Sequence, residues 1–89
     1  MELLKTGEFE RDIKHIDKPL RAVLQNSIDK ISGEPERGKP LGHFPDIFSV
    51  RIEGKRLIYH YDEKGQRITF MMYKKRDEVY DYMRQRFGR

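Results

Sequence analysis

The sequence predicts an α+β fold, with two helices ahead of an antiparallel β-meander and a third helix after it. Changes of hydrophobic period carry that prediction. Apolar residues recur every three to four positions up to Ile31, alternate from Phe48, and return to helical spacing after Asp77. The implied order is β-α-α-β-β-β-α.

Each element has its own signal. Glu2 to Lys5 contains adjacent leucines and opens the fold as a short strand. Thr6 sits where an N-cap belongs, ahead of Phe9, Ile13 and Ile16, which predicts a helix of two to three turns ending near His15. Asp17 and Pro19 restart the chain, and Leu20, Val23, Leu24, Ile28 and Ile31 follow at helical spacing. Gly33 is placed to stop this helix in left-handed geometry. Residues 34–47 hold three prolines and two glycines and read as loop, with at most one helical turn.

Phe48, Val50 and Ile52 then alternate with Ser49 and Arg51. Glu53-Gly54-Lys55 is a tight connection to a second strand, Arg56 to Tyr61. Asp62-Glu63-Lys64-Gly65 reads as a hairpin turn with Gly65 at positive φ, and Ile68 to Tyr73 as the third strand. Asp77 is the expected cap of a last helix with Val79, Tyr80, Met83 and Phe87 on one side.

Composition narrows the function classes. Eighty-nine residues suit one domain, 1–89, with a thin stability margin. The absence of Cys removes disulfides, thiolate metal sites and a thiol nucleophile. No uncharged run approaches the roughly 18 residues of a membrane span, and Met1 to Lys5 has no signal-peptide core, so a cytoplasmic protein without membrane contact is expected. His15, His43 and His60 lie in different elements without metal-ligand spacing, and no phosphate loop or nucleophile elbow appears; neither metal nor cofactor is expected.

Charge is uneven. Residues 1–48 carry 8 basic and 9 acidic side chains, whereas residues 49–89 carry 11 and 6. Arg51 and Ser49 share a strand face, and the short turn keeps Arg51 and Arg56 at neighbouring-strand distance, about 5–8 Å. Lys74, Lys75 and Arg76 end the third strand, with Tyr73 and Tyr80 close in sequence. Cations with aromatics on a sheet face suit RNA, whose phosphates meet Arg and Lys while bases stack on rings. A solvated polar face, with Tyr80 a core ring, is the plainer alternative. Cleavage of RNA by its own 2′-hydroxyl needs a base, an acid and cations. Arginine is too basic to lose a proton, so Arg51 and Arg56 would clamp and stabilise charge. A lysine whose pKa falls through burial and neighbouring cations can act as base, which makes Lys74 or Lys75 the candidate, with Tyr80 a second acid/base or a stacking ring.

Three stretches together resemble the RelE/ParE superfamily of toxins from type II toxin–antitoxin systems. They are FERDIKHIDKPLRAVLQNSIDKI, GKPLGHFPDIFSVRI with GKRLIYHYDEKG, and KRDEVYDYM. The resemblance covers essentially the whole chain and implies a curved antiparallel sheet backed by the two N-terminal helices. It also implies a cognate acidic antitoxin and, in the RelE branch, cleavage of messenger RNA in the ribosomal A site, leaving a 2′,3′-cyclic phosphate without metal. The implied catalytic residues are Arg51, Arg56, Lys74 and Tyr80. Ser49, Lys55, Tyr73, Lys75 and Arg76 are the expected RNA contacts. The chain departs from that pattern at three positions. Ser49 stands where RelE has a catalytic lysine, Lys74 replaces an arginine, and Lys75 replaces a histidine. A ParE-like inhibitor of DNA gyrase and an inactive member binding only RNA or antitoxin are the competing readings.

Overall fold

Alternating apolar positions between Phe44 and Tyr73 build the centre of a five-stranded sheet. The architecture comes from a computed structural model that describes residues 1–87. Its elements are β1 (Glu2–Lys5), α1 (Gly7–Ile13), α2 (Lys18–Gly33), β2 (Lys39–Leu41), β3 (Phe44–Ile52), β4 (Lys55–Asp62), β5 (Arg67–Lys74) and α3 (Arg76–Phe87), and the strand order in the sheet is β1-β5-β4-β3-β2.

The α+β class and the order of helices and meander are as the sequence predicts. The sheet is mixed because β1 pairs in parallel with β5 while the meander β3-β4-β5 is antiparallel. Phe9, Leu24, Ile28 and Ile31 of the two N-terminal helices pack on one face against Phe48, Ile52, Leu57, Tyr59, Ile68, Phe70 and Tyr73. On the other face α3 lays Val79 and Met83 over Leu41, Ile47, Ile58 and Met72. The caps of both N-terminal helices form as expected. Thr6 Oγ1 accepts from Phe9 N at 3.1 Å, and Asp17 Oδ1 accepts from Leu20 N at 3.0 Å.

Several local expectations are corrected. Residues 34–47 are not all loop: Lys39–Leu41 forms the edge strand β2, and β3 already starts at Phe44. Pro40 is compatible with this because an edge strand has one side on which no N–H is needed. Tyr59 ties β2 down. Its hydroxyl accepts from Gly38 N at 3.1 Å and donates to Pro35 O at 2.7 Å. Gly38 is required there, since a Cβ would come within 3.0 Å of both Ser49 O and the Tyr59 hydroxyl.

Gly33 is the last helical residue and does not adopt left-handed geometry; the helix ends as Glu34, the residue before Pro35, leaves the helical region (φ −147°, ψ 79°), which proline disfavours for its predecessor. Positive φ in the β4–β5 turn falls on Gln66, not on Gly65. Gly65 donates its N–H to Asp62 Oδ1, and a Cβ there would require the Asp62 carboxylate to move aside. Asp77 lies inside the first turn of α3. The cap is Lys75, whose N–H is met by Glu78 Oε1 at 3.1 Å, half of a capping box. Val79 and Met83 are buried as expected, but Tyr80 and Phe87 are exposed, so α3 covers only part of its face.

Tyr59→Phe removes a buried hydroxyl that serves both a donor and an acceptor. The expected cost is about 1–2 kcal/mol, read as a lower urea midpoint at unchanged m-value. Faster amide exchange at Gly38 should accompany it, and an unchanged midpoint would show that β2 is held by other contacts.

Candidate nucleic-acid interface

Strand register places three cations in one row. Arg51 pairs with Arg56 across β3–β4, and Arg56 pairs with Lys74 across β4–β5. Direct cross-strand partners project to the same face, so the row lies on the α3 side with Ser49 and Ile58. The three side chains do not share one environment.

Lys74 leaves the row for α1. Its ammonium donates to Glu8 Oε2 at 2.6 Å and to Asp12 Oδ1 at 2.9 Å, and lies 5.5 Å from the Tyr82 ring. The other Asp12 oxygen accepts from Tyr73 N at 3.0 Å, taking up a strand donor beyond the point where β1 has ended. The expectation that Lys74 is a base with a lowered pKa is therefore corrected. Burial alone pulls the pKa down, but the bonds to Glu8 and Asp12 outweigh it and hold it above its ordinary value. Glu8 responds in the opposite sense, its carboxyl held below the usual range chiefly by Lys74 and then by Arg11.

Arg56 instead faces a cavity of about 230 Å³ between β2, β3, β4 and the first turn of α3, which Lys39, Ser49, Arg76 and Tyr80 also line. The lining carries three cations and no carboxylate. Lys39, Arg56 and Arg76 make no ion pair among the described residues, in contrast to the doubly paired Lys74. The volume falls below the roughly 300–1,000 Å³ of pockets that enclose a whole small ligand, and suits one group of a larger molecule. The Arg76 guanidinium lies 5.8 Å from the Tyr80 ring centre, which holds the arginine over the aromatic face. Beyond Tyr80 opens an apolar cleft of about 550 Å³ lined by His43, Phe44, Met83, Arg84 and Phe87.

The structure thus brings Arg56, Arg76, Tyr80 and Ser49 to one place. Arg51 stays in the row but outside the cavity lining, exposed near the hairpin end. Lys55 and Tyr73 belong to the opposite side. The Lys55 ammonium lies 5.5 Å from the Tyr73 ring, and Tyr73 is buried with its hydroxyl donating to Ile52 O, which removes it as a stacking surface. Lys75 is exposed and caps α3 through its backbone. The sequence reading missed Lys39, because the prolines and glycines around it masked a three-residue strand. Among the described residues no group of three His, Asp or Glu side chains gathers as a metal site, and no helix is long and apolar enough to cross a membrane.

No family model and no curated relative matches the sequence. Solved structures do match. A free-state variant of the E. coli toxin RelE superposes with TM-score 0.78 at 19% identity, covering 96% of this chain and 95% of that one. The RelBE2 toxin–antitoxin complex from Mycobacterium tuberculosis gives 0.69 at 28% identity, over 84% and 96%. A YoeB/ParE toxin from Agrobacterium tumefaciens gives 0.72 at 21%, over 84% and 98%. The chain has the fold of the RelE/ParE superfamily.

The Lys74 cluster predicts a pH signature. Because the Glu8 pKa is lowered, its contribution is present above the ordinary value of about 4.3 and is lost as pH falls through the folded value. Because the Lys74 pKa is raised, its contribution persists to about pH 10 and is lost above it. Lys74→Met should melt well below the native chain near pH 7, and the gap should close as pH drops below 4. A gap independent of pH would show that the two groups are not coupled.

Proposed function

We propose that the chain is the toxin of a type II toxin–antitoxin pair and acts as an endoribonuclease on messenger RNA at the ribosome. The observation that carries this reading is the cavity where Arg56, Arg76 and Tyr80 meet with no carboxylate to neutralise them. Concentrating like charge is unfavourable until an anion enters, and a phosphodiester is the anion that a pair of guanidinium forks fits best. The adjoining apolar cleft gives the neighbouring sugar and base a surface, with Tyr80 between the two.

In the reaction the RNA 2′-oxygen loses its proton and attacks the adjacent phosphorus. The bond from phosphorus to the 5′-oxygen breaks, and that oxygen takes up a proton. The products are a 2′,3′-cyclic phosphate and a 5′-hydroxyl, with no net gain or loss of protons. Arg56 and Arg76 stabilise the extra negative charge of the pentacoordinate state. Tyr80, 42% exposed, presents a hydroxyl that can relay one of the two protons or a ring on which a base stacks. Exposure of Tyr80 and the lack of a carboxylate on Arg56 favour this reading over gyrase inhibition, which needs no such set. An acidic antitoxin is the matching partner, its carboxylates meeting the cations left unpaired.

Primer extension on messenger RNA in a translating extract tests the reading. Purified protein should give cuts that disappear when ribosomes are omitted. Arg56→Ala and Tyr80→Phe should each lower cleavage about a hundredfold or more. Inhibition of DNA supercoiling without RNA cuts would overturn it in favour of a gyrase inhibitor.

A further inference from the structure

Lys39 is carried on the edge strand β2, and its Cα partner in the sheet is Ser49. Partners across a ladder project to the same face, so a lysine stands directly beside a serine in the cavity that Arg56 and Arg76 also line. Two independent features mark this pair. Among the described residues the Lys39 ammonium has no carboxylate partner. Ser49 is 7% exposed, and its hydroxyl is the buried side-chain polar atom left without a hydrogen bond among those residues. An orphaned buried hydroxyl costs free energy in the empty molecule, a cost that an entering acceptor removes. A cation without counter-charge beside a hydroxyl without an acceptor calls for an anionic oxygen.

The backbone fixes Lys39 in this position. The residue before it, Gly38, donates its N–H to the Tyr59 hydroxyl, and a Cβ there would press on Ser49 O and that hydroxyl at 3.0 Å. The residue after it, Pro40, restricts the backbone further. A flexible side chain is thus mounted on a rigid strand.

We propose that Lys39 and Ser49 form a phosphate-binding pair of this cavity, the ammonium and the hydroxyl together taking the non-bridging oxygens of the RNA phosphodiester. This rests on the ribonuclease reading for the identity of the ligand. It adds Lys39, from a segment outside the meander, and gives a defined role to Ser49, already among the expected RNA contacts. Lys39 in this position adds a third cation to those of Arg56 and Arg76 in the same cavity.

The test separates binding from cleavage. The probe is a short single-stranded RNA with 2′-O-methyl groups throughout, which cannot be cut by its own hydroxyl, and its affinity is measured against salt. Lys39→Ala should lower the slope of log K against log salt by about 0.7 and weaken binding roughly fivefold at 0.1 M salt. Lys30→Ala, on the exposed side of α2, should leave the slope unchanged. Ser49→Ala should weaken binding about tenfold while leaving the melting temperature equal to or above that of the native chain, because it deletes an unsatisfied hydroxyl. The double variant Lys39→Ser with Ser49→Lys moves the ammonium to the partner strand and should restore the slope lost in Lys39→Ala.

An unchanged slope in Lys39→Ala, with native RNA still cut, overturns the pair and leaves the ribonuclease reading standing. A lowered slope in a protein that never cuts RNA supports the pair and overturns the ribonuclease reading. A native chain that does not bind the probe overturns the pair, while the ribonuclease reading stands or falls on the primer-extension cuts.

Discussion

Distribution of counter-charge is the constraint on which this molecule turns. Arg51, Arg56 and Lys74 occupy one cross-strand row, where three like charges side by side are unfavourable. Two carboxylates on α1 draw Lys74 out of the row and neutralise it. The same contact fastens α1 to β5 where β1 has ended, with Asp12 receiving both the ammonium and a strand N–H. What remains on the α3 side is a cavity lined by Lys39, Arg56 and Arg76 with no carboxylate in its lining. The fold thereby separates a doubly paired lysine from Arg56, which stands next to it in the sheet and lines the cavity without an ion pair among the described residues.

Periodicity made the main elements legible, because each buries one face. Phe9, Leu24, Ile28 and Ile31 are core residues, and so are Phe48 and Ile52. Cap chemistry at Thr6 and Asp17 was legible for the same local reason. Features set by long-range partners were not. β2 is three residues long and contains a proline; its identity as a strand depends on Ser49 and Phe48 across the ladder and on the Tyr59 hydroxyl. Gly65 reads as a positive-φ residue, yet positive φ falls on Gln66, and Gly65 instead donates its N–H to the Asp62 carboxylate.

Within the site, residue type was legible and environment was not. Arg56, Arg76, Tyr80 and Ser49 meet at one cavity, but nothing in the order of residues says that Lys74 is claimed by Glu8 and Asp12, more than 60 positions earlier in the chain. Tyr73 and Tyr80 are seven residues apart, and both are tyrosines close to cations. One is sealed in the core with its hydroxyl on Ile52 O, while the other borders the cavity. Their difference comes from the strand–helix junction, which turns the chain between Lys74 and Arg76 and sends the two rings to opposite faces of the sheet.

The two margins of the sheet have a further consequence. One is the four-residue β1, and the other is the three-residue β2, interrupted by Pro40 and offset by a register shift before Leu41. Long, flat margins template the stacking of identical chains; margins this short, one of them carrying a residue that cannot donate, give such stacking little to grip. A protein with so small a core thereby offers little edge for fibrillar self-association, and one of its margins carries a cavity lysine, Lys39, as well.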